Sequence, residues 1–162
     1  MNIDEFAGNW AYRSFNDRPE LDATPDDLLI AAGDLTLETA DTGGTPAGVD
    51  LGGSKISGRV SFGNIYLTVS GTAEPGTAEP DKPPTIRYRA TGVEGTPTAG
   101  WIYDFVGYLA PSWPRGEGQR PAIVGTAIRT VQHMGGVDWQ EVRPAGATMS
   151  FIAVSRDHPA GP

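Results

Sequence analysis

Glycine and proline interrupt this chain so often that a long helix has nowhere to form. There are 22 glycines and 14 prolines, together 36 of 162 residues, roughly double ordinary usage. Proline removes a backbone donor and glycine costs extra entropy when ordered in a helix, so short strands joined by turns are favoured. Disorder is excluded by an apolar content of 38 % and by four Trp, five Tyr and five Phe, enough aromatic mass for a core. A chain of this length suits one domain. We expect that domain over residues 1–157, with 158–162 as a flexible tail.

Side chains alternate between apolar and polar over eight runs bounded by turn residues, the signature of half-buried strands. They span 8–15, 34–39, 55–61, 65–71, 85–92, 100–109, 122–132 and 147–155. Phe62-Gly63-Asn64 fits a tight hairpin. Thr24-Pro25-Asp26-Asp27 suits a helix N-terminus and leads into 28–32, so at most one short helix is expected near 25–32. The pentapeptide Gly71-Thr72-Ala73-Glu74-Pro75 recurs at 76–80. It has no apolar side chain larger than alanine and reads as a mobile loop. No connection has room for a crossover helix, so sequential strands pair antiparallel. Pairing the first strand with the last removes both open edges. The chain is therefore expected to be all-β, an eight-stranded antiparallel up-and-down barrel, with a two-sheet sandwich as the alternative. Connections after the first, third, fifth and seventh strands then share one rim, and the remaining three share the other.

Phe6-Ala7-Gly8-Asn9-Trp10, opening the first strand, resembles the start of calycin-type barrels: the lipocalins, the fatty-acid-binding proteins and, more loosely, the avidins. Gly8 and Trp10 match the Gly-x-Trp of that motif. The resemblance implies that Trp10 packs at the barrel floor and that Arg156, just past the last strand, takes the part of the arginine that often covers it. It also implies a small, largely apolar molecule bound in the interior. In lipocalins the closed rim has short hairpins, whereas here that rim has the three long loops, so which end forms the mouth stays open.

Charge narrows the partners. Twelve Lys and Arg against twenty Asp and Glu give a formal charge of −8 and a pI near 4.6, which repels phosphate backbones and argues against nucleic acid. No cysteine is present, removing disulfides and thiolate chemistry. The acidic start lacks the pattern of a signal peptide and no apolar run reaches membrane-spanning length. We expect a soluble cytoplasmic protein with no membrane partner.

If Trp10 faces inward, the two-residue period turns Tyr12 and Ser14 inward as well. Between 101 and 108, Trp101, Tyr103 and Phe105 share one face, with Ile102, Asp104, Val106 and Tyr108 on the other. Both faces are largely apolar, so the outer wall of the last three strands is expected to be covered in a homodimer or higher homo-oligomer. Trp10, Tyr12, Tyr88, Trp101 and Phe105 are the candidate ligand contacts. Trp113 joins them from a proline-stiffened loop that reads as either a lid or an interface element. Asp104, Tyr103 and Arg129 are the candidate catalytic groups. A carboxylate among aromatics can act as a general acid or base, although Asp104 can equally pair with Arg87, Arg89 or Arg129. Arg129 can grip a ligand carboxylate or enolate, and tyrosine hydroxyls can polarise a carbonyl. His133 and His158, the two histidines, have no partners at metal-ligand spacing, so no metal or other cofactor is implied. The expectation is a barrel that binds a small apolar molecule. Two alternatives are a cofactor-free cyclase, isomerase or hydratase built in the same barrel, and a structural subunit with a filled interior.

Overall fold

The structure, a computed structural model, describes residues 3–17, 22, 24–40, 53–77, 82–110, 118–135 and 140–157. Expectations for the loop at 41–52, most of the second pentapeptide copy, Trp113 and the tail with His158 fall outside these residues. Among these residues ten strands form: β1 (Gly8–Asn16), β2 (Leu29–Ala40), β3 (Ser54–Phe62), β4 (Ile65–Glu74), β5 (Thr85–Gly92), β6 (Ile102–Ala110), β7 (Ala122–Arg129), β8 (His133–Gly135), β9 (Glu141–Arg143) and β10 (Thr148–Ser155). Eight of them close a barrel in the order β1-β10-β7-β6-β5-β4-β3-β2, every pair antiparallel. The sandwich is excluded by the seam between β1 and β10, where Trp10 lies opposite Ser155, Tyr12 opposite Ala153 and Ser14 opposite Phe151. Asp157 clasps this seam from outside, accepting hydrogen bonds from Asn9 N at 2.6 Å and Asn9 Nδ2 at 3.1 Å. Among the described residues no helix is long and apolar enough to cross a membrane.

Three local expectations are corrected. The helical turn is confined to Pro25–Leu28, where Thr24 and Asp27 form a reciprocal capping box, and β2 begins at Leu29 rather than 34. Leu29, Ala31 and Ala32 find ladder partners in Phe15, Ser14 and Arg13, and pairing overrides weak local helix preference. The first pentapeptide copy is mostly strand: Gly71–Glu74 completes β4, and Ala73 is fully buried. Small residues are required there. A Cβ on Gly71 would stand 2.0 Å from the Arg87 carbonyl oxygen and 2.6 Å from Tyr88 Cα. Finally, β7 ends at Arg129 instead of 132, and the chain then folds into the hairpin β8–β9, with His133 opposite Arg143.

The inward faces divide the barrel into a packed lower half and a hollow upper half. At the floor, a 3-10 turn (Ile3–Phe6) brings Phe6 against Trp10, both fully buried, and Trp10 Nε1 donates to the Phe6 carbonyl at 3.1 Å. Leu35, Leu37, Ile86 and Ile123 surround them without solvent exposure. Above this layer Tyr12, Tyr88, Phe105 and Phe151 interlock: Tyr88 stacks on Phe105 at 4.5 Å and 9°, and Tyr12 on Phe151 at 5.8 Å and 23°. Gly107 and Gly125, paired across β6 and β7, leave the space that the Phe151 ring fills. A Cβ on either would come within 3.0 or 2.8 Å of that ring.

Candidate functional site

A cavity of about 470 Å³ opens above the aromatic layer, at the rim shared by the β1–β2, β3–β4, β5–β6 and β7–β10 connections. That volume is ordinary for a small-molecule site. The mouth is therefore at the rim opposite the β2–β3, β4–β5 and β6–β7 connections. Its apolar wall comes from β3, β4, β5 and β10 through Val60, Phe62, Ile65, Leu67, Ala90 and Met149. Tyr12 and Phe105 form its lower boundary and Trp101 one side of the rim. Trp101 is held by the compact β5–β6 connection, donating its N–H to the Thr98 carbonyl and accepting from Gly92 N. Thr98 itself is buried and donates to the Tyr66 carbonyl at 2.9 Å.

The polar part of the cavity is concentrated where β6, β7 and the hairpin meet. Tyr103 and Arg129 are direct cross-strand partners, so both point inward. Arg129 is 6 % exposed; its Nε donates to Tyr103 Oη at 3.3 Å and its Nη1 to the Pro144 carbonyl at 2.9 Å. Tyr103 Oη lies 2.5 Å from His133 Nε2, while His133 Nδ1 lies 2.8 Å from the Met134 carbonyl. A carbonyl only accepts, so Nδ1 carries the imidazole hydrogen and Nε2 is left to accept from Tyr103. Trp101 stacks on the imidazole at 3.9 Å and 16°, fixing its plane. The result is a directed chain: Arg129 to Tyr103, Tyr103 to His133, His133 to backbone.

Burial and charge keep this chain in one protonation state. His133 titrates below the usual histidine range because burial disfavours the imidazolium, reinforced by Arg129 and Arg143, against the opposing hydrogen bond to Met134. Burial pushes the Tyr103 phenol up, against the hydrogen bond and charge of Arg129. A neutral His133 accepting from a protonated Tyr103 follows.

Of the expected contacts, Tyr12, Trp101 and Phe105 line the cavity, as do Tyr103 and Arg129. Trp10 does not: it is sealed in the floor. Tyr88 lies buried behind Phe105, again off the cavity surface. Trp113 lies outside the described residues, and the strand ends flanking its segment, Ala110 and Ala122, pair at the floor end. Asp104 points to the outer wall and forms a bidentate pair with Arg89, at 2.7 and 2.9 Å. That pair holds its carboxyl below the usual range and leaves it no route to a molecule inside the barrel. Arg156 likewise stands on the outer wall, its guanidinium on Asp34 at 2.7 Å, rather than over Trp10. Sequence reasoning missed His133 as a site residue and Arg143 altogether, both from the hairpin. Met134 and Val142, the middle residues of these two strands, are exposed, and strands this short carry no readable period. No protein-family model, curated protein or solved structure matches this chain.

Proposed function

We propose that the protein is a small-molecule-binding barrel that holds a largely apolar ligand in its upper half, in the manner of calycin-like folds. The single observation behind this is the cavity of about 470 Å³, walled by aliphatic and aromatic side chains with polar groups gathered on one side, the usual constitution of a ligand pocket. Gly8-x-Trp10 at the sealed floor supports the calycin likeness. Titration with a neutral fluorophore, N-phenyl-1-naphthylamine, tests the proposal. The expected result is saturable enhancement that is lost in Ala31→Trp, which would fill the cavity from β2. No enhancement, or equal enhancement in the filled variant, refutes it. Native mass spectrometry of protein from its own host would name the ligand.

A second reading is a cofactor-free isomerase, cyclase or hydratase, favoured by the Tyr103–His133 hydrogen bond at the cavity wall. A substrate carbonyl that accepts the Tyr103 hydroxyl hydrogen bond releases His133 Nε2 to take a proton from the adjacent carbon. Solvent-deuterium exchange at that carbon in wild type, absent in His133→Gln, is its test. We also propose that the outer wall of β6 and β7, where Tyr108, Val124 and Ile128 are exposed, is covered in a homo-oligomer. Sedimentation at micromolar concentration showing only monomer refutes that.

A further inference from the structure

Among the described residues the cavity's charges all have one sign. Arg129 and Arg143 line it beside the neutral His133, and no described aspartate or glutamate does, in a chain whose formal charge is −8. Arg143 pairs with Glu141, two residues away on the same face of β9, at 2.6 Å. Arg129 is not neutralised. It is 6 % exposed, and its side-chain hydrogen bonds go to two neutral oxygens, Tyr103 Oη and the Pro144 carbonyl. Among the described residues no carboxylate pairs with it. A buried guanidinium without a counter-charge is costly, and its remaining N–H groups form a fork suited to two oxygens.

We propose that the ligand is a monoanion, a carboxylate on an aromatic or aliphatic body, bound head-outward with its carboxylate on Arg129 at the mouth. This rests on the binding reading above and specifies its ligand class. The head lies between β7 and the hairpin, where Tyr103 contributes a hydroxyl and Arg143 a second cation. The apolar body extends downward along Phe62 and Leu67 to Tyr12 and Phe105. The direction follows from the placement of the charges: among the described residues the cavity's cations stand at the rim, and its lower boundary is aromatic. An inverted ligand would bring its carboxylate against Phe105 and leave Arg129 unpaired.

Calorimetric titration of the full chain, stripped of retained small molecules, with 6-phenylhexanoate, 6-phenylhexan-1-ol and 6-phenylhexylamine tests this. The three share a body and differ in head charge. The acid is expected to bind at least about tenfold more tightly than the alcohol, as a charge-assisted bidentate pair allows, and the amine more weakly than either. In Arg129→Gln the alcohol should bind as before and the acid's advantage should disappear. Equal binding of acid and alcohol by wild type, or an advantage that survives in Arg129→Gln, overturns the anion assignment while leaving a binding barrel. Failure of all three to bind overturns the binding reading itself. Should Arg129→Gln not fold, the wild-type series alone decides the charge preference, and Arg143→Gln is expected to reduce the acid's advantage.

Discussion

Tyr88→Phe should make this protein more stable, although it removes a polar group from the best-packed part of the barrel. The Tyr88 hydroxyl is completely buried and has no hydrogen-bond partner, while its ring is stacked on Phe105 at 4.5 Å and edge-on to Phe151 at 6.5 Å. A phenylalanine keeps both ring contacts and the buried area, and it discards only the stranded hydroxyl. An unsatisfied buried polar group costs about 1–3 kcal/mol; taking the lower end, the gain is about 1 kcal/mol, or ~2–4 °C in Tm for a chain of this size. Urea unfolding followed by tryptophan fluorescence should show a higher midpoint at unchanged slope. Alkaline titration supplies a second readout. Burial raises the Tyr88 phenol well above its ordinary value, and Tyr12 moves in the same direction for the same cause. A phenol raised in the folded state contributes stability that is intact below its unfolded pKa near 10 and is lost as pH rises beyond it. Each such group then costs about 1.4 kcal/mol per pH unit, so Tyr88→Phe should roughly halve the alkaline loss due to the pair. A midpoint lowered by the equivalent of about 1 kcal/mol or more would refute the reasoning, because it would mean that the hydroxyl is satisfied, for instance by an enclosed water.

Three further outcomes are expected. His133 has a depressed folded-state pKa, so its contribution is present above its unfolded pKa near 6.5 and lost as pH falls through the folded value. His133→Gln should flatten the stability profile in that acidic window, as read by thermal melts from pH 7 to 5. Asp104→Asn should leave ligand binding and the denaturant midpoint nearly unchanged, since its partner Arg89 is on the exposed wall; loss of binding in calorimetry would place Asp104 back in the site. Gly125→Val should cost about 2 kcal/mol or more of stability in urea unfolding, because even a Cβ there lies 2.1 Å from the Val106 carbonyl oxygen.

Legibility followed the length of the alternating runs. β5, eight residues with a clean two-residue period, is found at 85–92 as read, and the same period placed Tyr12, Tyr103 and Phe105 inward. Eight such runs without crossovers sufficed for the barrel. The hairpin escaped notice because strands of three residues, His133–Gly135 and Glu141–Arg143, are too short to show a period. Half of the polar cluster escaped with it. Asp104 was ambiguous for another reason. Alternation gives a face, while the choice among Arg87, Arg89 and Arg129 depends on register, which sets Arg89 directly opposite Asp104. The open end was undecidable from loop lengths because the volume depends on where bulky rings stack, and Tyr88, Phe105 and Phe151 gather toward the floor.

Part of the selector is built apart from the container: Arg129 and Tyr103 belong to wall strands, but their neighbours do not. The eight-stranded wall owes its integrity to its own ladder, whereas His133 and Arg143 arrive on a two-stranded appendage paired only with itself. Replacing that appendage would exchange the chemistry at the entrance without disturbing a single rung of the wall. A lineage could thus retune one vessel from guest to guest by editing within the fourteen residues between Arg129 and Pro144, with Arg129, Trp10 and the floor left as they are.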